Sequence, residues 1–147
     1  MRLKIELLLN WMRRPDIPGA AAFSRKGSTS VFQVSWAEYR GKQPLHKIGV
    51  DGLRQFAIDF GQKQASGELV ESSSGPCRFG NFGTAVFRSG EHPRIQIWIV
   101  TDGTDHILAT HICDRHPEPS EIVEVQQIAG SLALGPEKPK KPAWKFW

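Results

Sequence analysis

The chain has 147 residues, two cysteines and a formal net charge of +4, the size of one domain that can bury its own core without disulfides or a structural metal. Its basicity sits in the two ends: residues 1–14 carry +3, residues 135–147 carry +3, and residues 15–134 are left at −2, which excludes the Lys- and Arg-studded folded surface that phosphate binding needs. No apolar run approaches the roughly 20 residues of a bilayer span, and Ile5–Leu9 is followed by Trp11, Arg13 and Arg14 rather than a small-residue cleavage site, so a soluble, cytoplasmic protein is expected.

In chain order, Leu3, Ile5, Leu7 and Leu9 recur at a spacing of two, which predicts a half-buried strand over residues 3–9, with the start of a short helix as the alternative. Pro15-Asp16-Ile17-Pro18-Gly19 predicts a loop. Ala20–Phe23 and Thr29–Tyr39 then form a hairpin across Arg25-Lys26-Gly27-Ser28, with Phe32, Val34 and Trp36 on its core face. Gly41–Pro44 is a polar turn. A helix is predicted over Gly52–Ala65, capped by Asp51, with Leu53, Phe56, Ala57 and Phe60 as its apolar stripe.

Glu68–Ser72 reads as a short strand and Ser72–Pro76 as a loop. From Cys77 to Ser89 the chain is aromatic and punctuated by Gly80 and Gly83, the pattern of a strand with a bulge or a close backbone approach. The stretch Arg94–Leu132 is the most legible part. Ile95, Ile97 and Ile99 alternate with Gln96, Trp98 and Val100, Asp102–Asp105 supplies a turn, and Ile107–Cys113 is a second β-rich run. Pro119 suits the first position of a closing helix whose stripe is Ile122, Val125, Ala129 and Leu132, and Glu118, Glu121 and Glu124 fall where the helix dipole favours acid.

After Leu134 the sequence becomes GPEKPKKPAWKFW, too rich in Pro and Lys to build a packed element. The domain is therefore drawn at residues 1–134, with 135–147 as an extended basic and aromatic tail. Its aromatics either fold back onto the body or serve as a docking peptide.

Chemistry-bearing residues cluster at His106, His111, Cys113, Asp114 and His116. On a strand His111 and Cys113 share a face and His106 does not, and no zinc-ligand spacing is matched, so no metal site and no cofactor are expected. A thiol nucleophile needs Cys and His in contact, whereas two side chains on one strand at i and i+2 stand about 7 Å apart. No nucleophile elbow and no glycine-rich phosphate loop are present. Arg78–Phe87 has a faint likeness to the RNA-stacking strand of an RRM, but several strands lie between the two helices, against the βαββαβ order of that fold. Cys77 and Cys113 are expected to be reduced, buried thiols.

These elements add up to an α+β domain: a twisted antiparallel sheet of six or seven strands with two helices packed on it. The order, above all the aromatic strand, the Asp102-Gly103 turn, the strand through Thr110 and the last helix closing on Ser131-Leu132, resembles the small Mog1/PsbP-like α/β/α proteins. The resemblance spans residues 20–134 and implies a binding accessory, of the kind represented by photosystem extrinsic subunits, small-GTPase partners and chaperones of bacterial secretion effectors. It carries over no catalytic residue.

The first expectation is thus a non-enzymatic protein-binding module, an effector chaperone or immunity-type partner among its forms. Its candidate contacts are Trp36, Tyr39, Trp98, Trp144, Phe146 and Trp147, since Trp and Tyr offer large contact area with few rotors. The alternatives are a small metal- or thiol-dependent enzyme centred on His111, Cys113 and His116, and binding of nucleic acid or anionic membrane by the tail.

Overall fold

A computed structural model describes residues 2–37, 49–64 and 67–136. The strands are β1 (Arg2–Lys4), β2 (Trp11–Ile17), β3 (Ala20–Arg25), β4 (Val31–Ala37), β5 (Glu68–Cys77), β6 (Gly80–Arg88), β7 (Arg94–Thr101), β8 (His106–Cys113) and β9 (Ala133–Gly135); the helices are α1 (Val50–Gln64) and α2 (Pro119–Gly130). Seven strands form one sheet in the order β2-β3-β4-β8-β7-β6-β5, every neighbouring pair antiparallel, and β1 pairs with β9 apart from it. The α+β sheet-and-two-helix class expected from the sequence is the one found.

The period of two along β7 divides the core. Trp98 and Val100 lie on one face with Phe32, Val34, Ile107 and Ala109, under Val125, Ile128 and Ala129 of α2. Ile95 and Ile97 lie on the other with Ala85 and Phe87, under Ala57 of α1. Residues one apart on a strand face opposite ways, so the two helices cover opposite faces and the domain has three layers.

Several expected boundaries shift, each for a local reason. Only Leu3 and Lys4 of the Leu3–Leu9 segment are strand, because the partner β9 is three residues long; Leu7 and Leu9 are exposed, and the Glu6 amide goes to the Ser131 hydroxyl instead of a ladder. The expected loop at Pro15–Gly19 is mostly the end of β2, where the register slips between Arg14 and Ile17. A bulged edge strand tolerates the missing N–H of Pro15. The other edge, β5, likewise runs through the expected loop Ser72–Pro76 to Cys77.

Helix α1 starts at Val50, so Asp51 sits in its first turn rather than at its cap. Its buried stripe is Leu53, Ala57 and Gly61, and Phe56 is 52% exposed. The stripe rotates because the helix lies almost on the sheet. A Cβ at Gly83 would fall 2.2 Å from the Leu53 carbonyl, and one at Gly61 would fall 2.0 Å from the Phe87 ring. Gly83 is the close backbone approach that the glycine-punctuated strand predicted. Trp36, expected in the core, ends β4 and is 36% exposed, whereas Phe32 and Val34 are fully buried. The predicted turn at Gly41–Pro44, Tyr39 and the tail from residue 137 lie outside the described residues, while Gly135, expected in the tail, belongs to β9.

Candidate functional site

The α2 face of the sheet carries two polar constructions, and they abut, since Gln96 stands opposite His111 and Arg94 opposite Cys113 across β7 and β8. The first begins on β8, where Ile107, Ala109, His111 and Cys113 all point into the core. His111 Nε2 donates to Glu121 Oε2 at 3.0 Å, and Cys113 Sγ is 3.7 Å from His111 Nδ1. The imidazole leans toward the sulfur, which closes the 7 Å gap expected for two parallel side chains. Glu121 enters from α2 on the same stripe as Val125, Ile128 and Ala129. Trp11, whose ring centroid is 6.4 Å from that of His111, donates to Glu124 and covers one side.

All three side chains are buried, and an isolated charge there would be costly. Burial lowers the pKa of His111, but its hydrogen bonds to Cys113 and Glu121, with their charges, outweigh that and raise it. Burial raises the pKa of Glu121, and the hydrogen bonds from His111 and from Ser28 and Ser30, with the His111 charge, overcome it and bring it to about 2. The result is an imidazolium–carboxylate pair pinning α2 to β8 and to the β3–β4 loop.

The donor atoms of His111, Cys113 and Glu121 lie within 4.8 Å of one another, a set that could hold a metal ion. The order of contacts, thiol to imidazole to carboxylate, also parallels a nucleophile, base and orienting acid. Cys113 has no exposed surface, so in this conformation its sulfur meets no substrate. Of the residues expected beside this pair, His106 is half-exposed on the opposite face, and Asp114 and His116 are exposed in the loop before α2. His116 lines a polar cavity of about 210 Å³ that reaches Glu121 but neither His111 nor Cys113. Glu121 was missed as a site residue. Its signal was a carboxylate at i−4 from Val125 and i−8 from Ala129, on the apolar stripe itself.

The second construction is a groove of about 560 Å³ between β5 and α2. Phe82, Val86, Trp98 and Val100 form its floor, Pro76 and Cys77 one end, Glu71, Ser72 and Ser73 the β5 rim, and Gln126, Ala129 and Gly130 the α2 wall. Its polar groups are chained together: Arg94 donates to Gln96 at 3.0 Å, Gln96 to Thr84 at 3.1 Å, and Thr84 to the Ile97 carbonyl at 2.7 Å. Gln96 and Thr84 are buried in the floor. The groove exists because α2 lies toward the β4–β8 side of the sheet and no described element covers β5 and β6 on that face. A cleft of this size with an apolar floor and a few fixed polar groups is the usual form of a binding site.

The aromatic candidates distribute unevenly. Trp98 is 4% exposed, packed edge-to-face on Phe32 at 5.7 Å, and belongs to the groove floor rather than to an outer surface. Trp36 borders a more open depression of about 810 Å³ with Arg2, Lys4, Glu6, Arg13 and Arg78. Phe79 and Phe82 pack against the core, opposite to the exposed rings that an RNA-stacking strand presents. Cys77 and Cys113 are free thiols, and only Cys113 is fully buried.

No family model and no curated protein matches the sequence. Solved structures do. The solution structure of a cyanobacterial PsbP (CyanoP) from Synechocystis is 13% identical, covers 90% of this chain and 92% of its own, and superposes with a TM-score of 0.56. The chain has a PsbP-like fold. A crystal structure from Bacteroides thetaiotaomicron, 14% identical, covers 95% of this chain and 47% of its own with a TM-score of 0.51. At these identities the likeness shows the PsbP-like fold alone, and no residue role travels with it. No described helix is long and apolar enough to cross a membrane.

Proposed function

We propose that this PsbP-like chain is a non-enzymatic protein-binding accessory module, and that an extended apolar segment of a partner lies in the groove between β5 and α2. The observation that carries the reading is the groove itself: an apolar floor with a fixed Thr84–Gln96–Arg94 polar chain, beside a strand that ends the sheet. Strand β5 has one strand neighbour, β6, among the described residues, so its outer edge offers main-chain donors and acceptors to an incoming strand. Trp36, Tyr39, Trp144, Phe146 and Trp147 are further contact candidates. A chaperone or immunity-type partnership is the finer form of the reading, in a reducing cytoplasm that suits two free thiols.

The test is affinity capture from native extract at moderate and high salt with the full chain and its Ser73→Trp variant, which fills the groove from an exposed rim position. A partner held at high salt and lost with Ser73→Trp supports the groove. A partner lost with salt and indifferent to Ser73→Trp moves the function to charge, as tail-driven binding of nucleic acid or anionic membrane requires. A second reading, a metal or thiol protein, has the His111–Cys113–Glu121 donor set in its favour. It expects stoichiometric zinc that disappears in Cys113→Ser.

A further inference from the structure

We infer that the chain's own C-terminal segment, Trp144–Trp147, occupies the β5–α2 groove and competes there with a partner. The inference uses the groove of the preceding reading but does not need a partner to exist. Three observations converge on it.

The first is where the chain leaves the fold. Gly130 lines the groove, and Gly135 is five residues farther on, so the exit lies within about 18 Å of the groove wall. The Glu6 amide on the Ser131 hydroxyl and the Glu6–Arg78 ion pair put the chain just after α2 beside the end of β5 that carries Cys77. Trp144 is nine residues past Gly135, a reach of about 30 Å when extended. The segment can therefore turn back and fill the groove with residues to spare.

The second is charge. Four lysines and one glutamate follow Pro136. Among the described lining residues Glu71 alone is charged, its side chain 61% exposed at the rim and ion-paired with Arg94 at 3.9 Å, so the groove is close to neutral. The depression nearest the exit, beside β1, is instead lined by Arg2, Lys4, Arg13 and Arg78 against Glu6 alone. Like charges facing a lysine-rich segment there are unfavourable. The third is chemistry: Trp, Phe and Trp carry the largest apolar surfaces of the segment, and the groove floor offers Phe82, Val86, Trp98 and Val100 for aromatic packing.

Cys77 at the groove end is a built-in reporter, since a disulfide forms only between Cα atoms about 4.4–6.8 Å apart. In the full chain, Ala143→Cys, Lys145→Cys and Trp147→Cys are each oxidised under mild conditions, and the internal disulfide to Cys77 is identified by mass. Cys77→Ser serves as the assignment control. Random encounter of a tethered thiol also gives some product, so the fastest of the three is repeated with the remaining tail aromatics replaced by alanine. The inference expects one position to form the internal bond at least tenfold faster with the aromatics than without, and the alanine variant to retain more partner in capture. Equal rates with and without the aromatics, or no internal bond in any of the three, overturn it. Partner capture that fails while the bond forms would end the partner reading and leave this one standing.

Discussion

The two faces of one sheet are built on opposite terms. Under α1 the contact is backbone against backbone: Gly83 meets Leu53, Gly61 meets Phe87, and Ala57, Ala85, Ile95 and Ile97 close the rest. Under α2 the helix packs Val125, Ile128 and Ala129 on the core and is pinned by Glu121 on His111, whose ring in turn meets Cys113, and beside it the sheet stays open over Phe82, Val86 and Trp98. The difference teaches where to look for function. The α1 face spends its sequence on fit, whereas the α2 face carries the paired buried charges, the buried Thr84–Gln96 chain and the apolar groove.

The largest break in that contrast is the ion pair. Glu121→Ala leaves an imidazolium buried without its partner, and we expect a loss of about 3–5 kcal/mol in urea unfolding. Replacing both members, as His111→Leu with Glu121→Met, should cost less than either single change, because no lone charge remains.

The pair also sets a pH window. Glu121 has its pKa brought down to about 2, so its contribution is complete above its unfolded value near 4.5 and is lost as pH falls toward 2, by about 3 kcal/mol on linkage. The His111 pKa is raised, so its contribution is complete below its unfolded value of 6.5 and is lost as pH rises through the folded value. Unfolding midpoints should therefore peak between about pH 4.5 and 6.5, and Glu121→Gln should flatten both limbs. A wild-type profile no steeper than that of Glu121→Gln would mean the pair is not ionised in the fold.

On the α1 face the expected effects are steric and smaller. Gly83→Ala drives a methyl into the Leu53 backbone and should cost about 1–3 kcal/mol. On the other face, at the end of α2, Gly130→Ala, with nothing within 4 Å of the new Cβ, should be neutral or stabilising by about 0.5–1 kcal/mol as a better helix former. Smallest of all, Phe56→Ala should change unfolding by less than about 1 kcal/mol, since Phe56 is half-exposed; a larger loss would restore the sequence-derived stripe.

That last case shows what a single sequence reveals. Residues Arg94–Leu132 were legible because alternation, an Asp-Gly turn and Pro119 each carry a local cause. The α1 stripe was misread because helix periodicity gives the spacing of a face and not its phase, and the phase was fixed by glycines on two different elements. Both edge strands hid behind Pro15 and Ser72–Pro76, residues that argue for a loop unless the strand is known to be an edge. At the site, His111 and Cys113 were visible as a pair, but their approach depends on a rotamer and on Glu121, ten residues past His111. The groove was invisible, since it is defined by where α2 does not lie.

The central claim is that the groove between β5 and α2 is the working surface, and amide hydrogen exchange on the full chain with and without its captured partner tests it directly. Protection gained in β5 over Glu71–Cys77 and around Gln126–Gly130, with α1 unchanged, is the result this account predicts. Protection confined to Arg2–Glu6 and the Trp36 end of β4, with the groove unchanged, would contradict it.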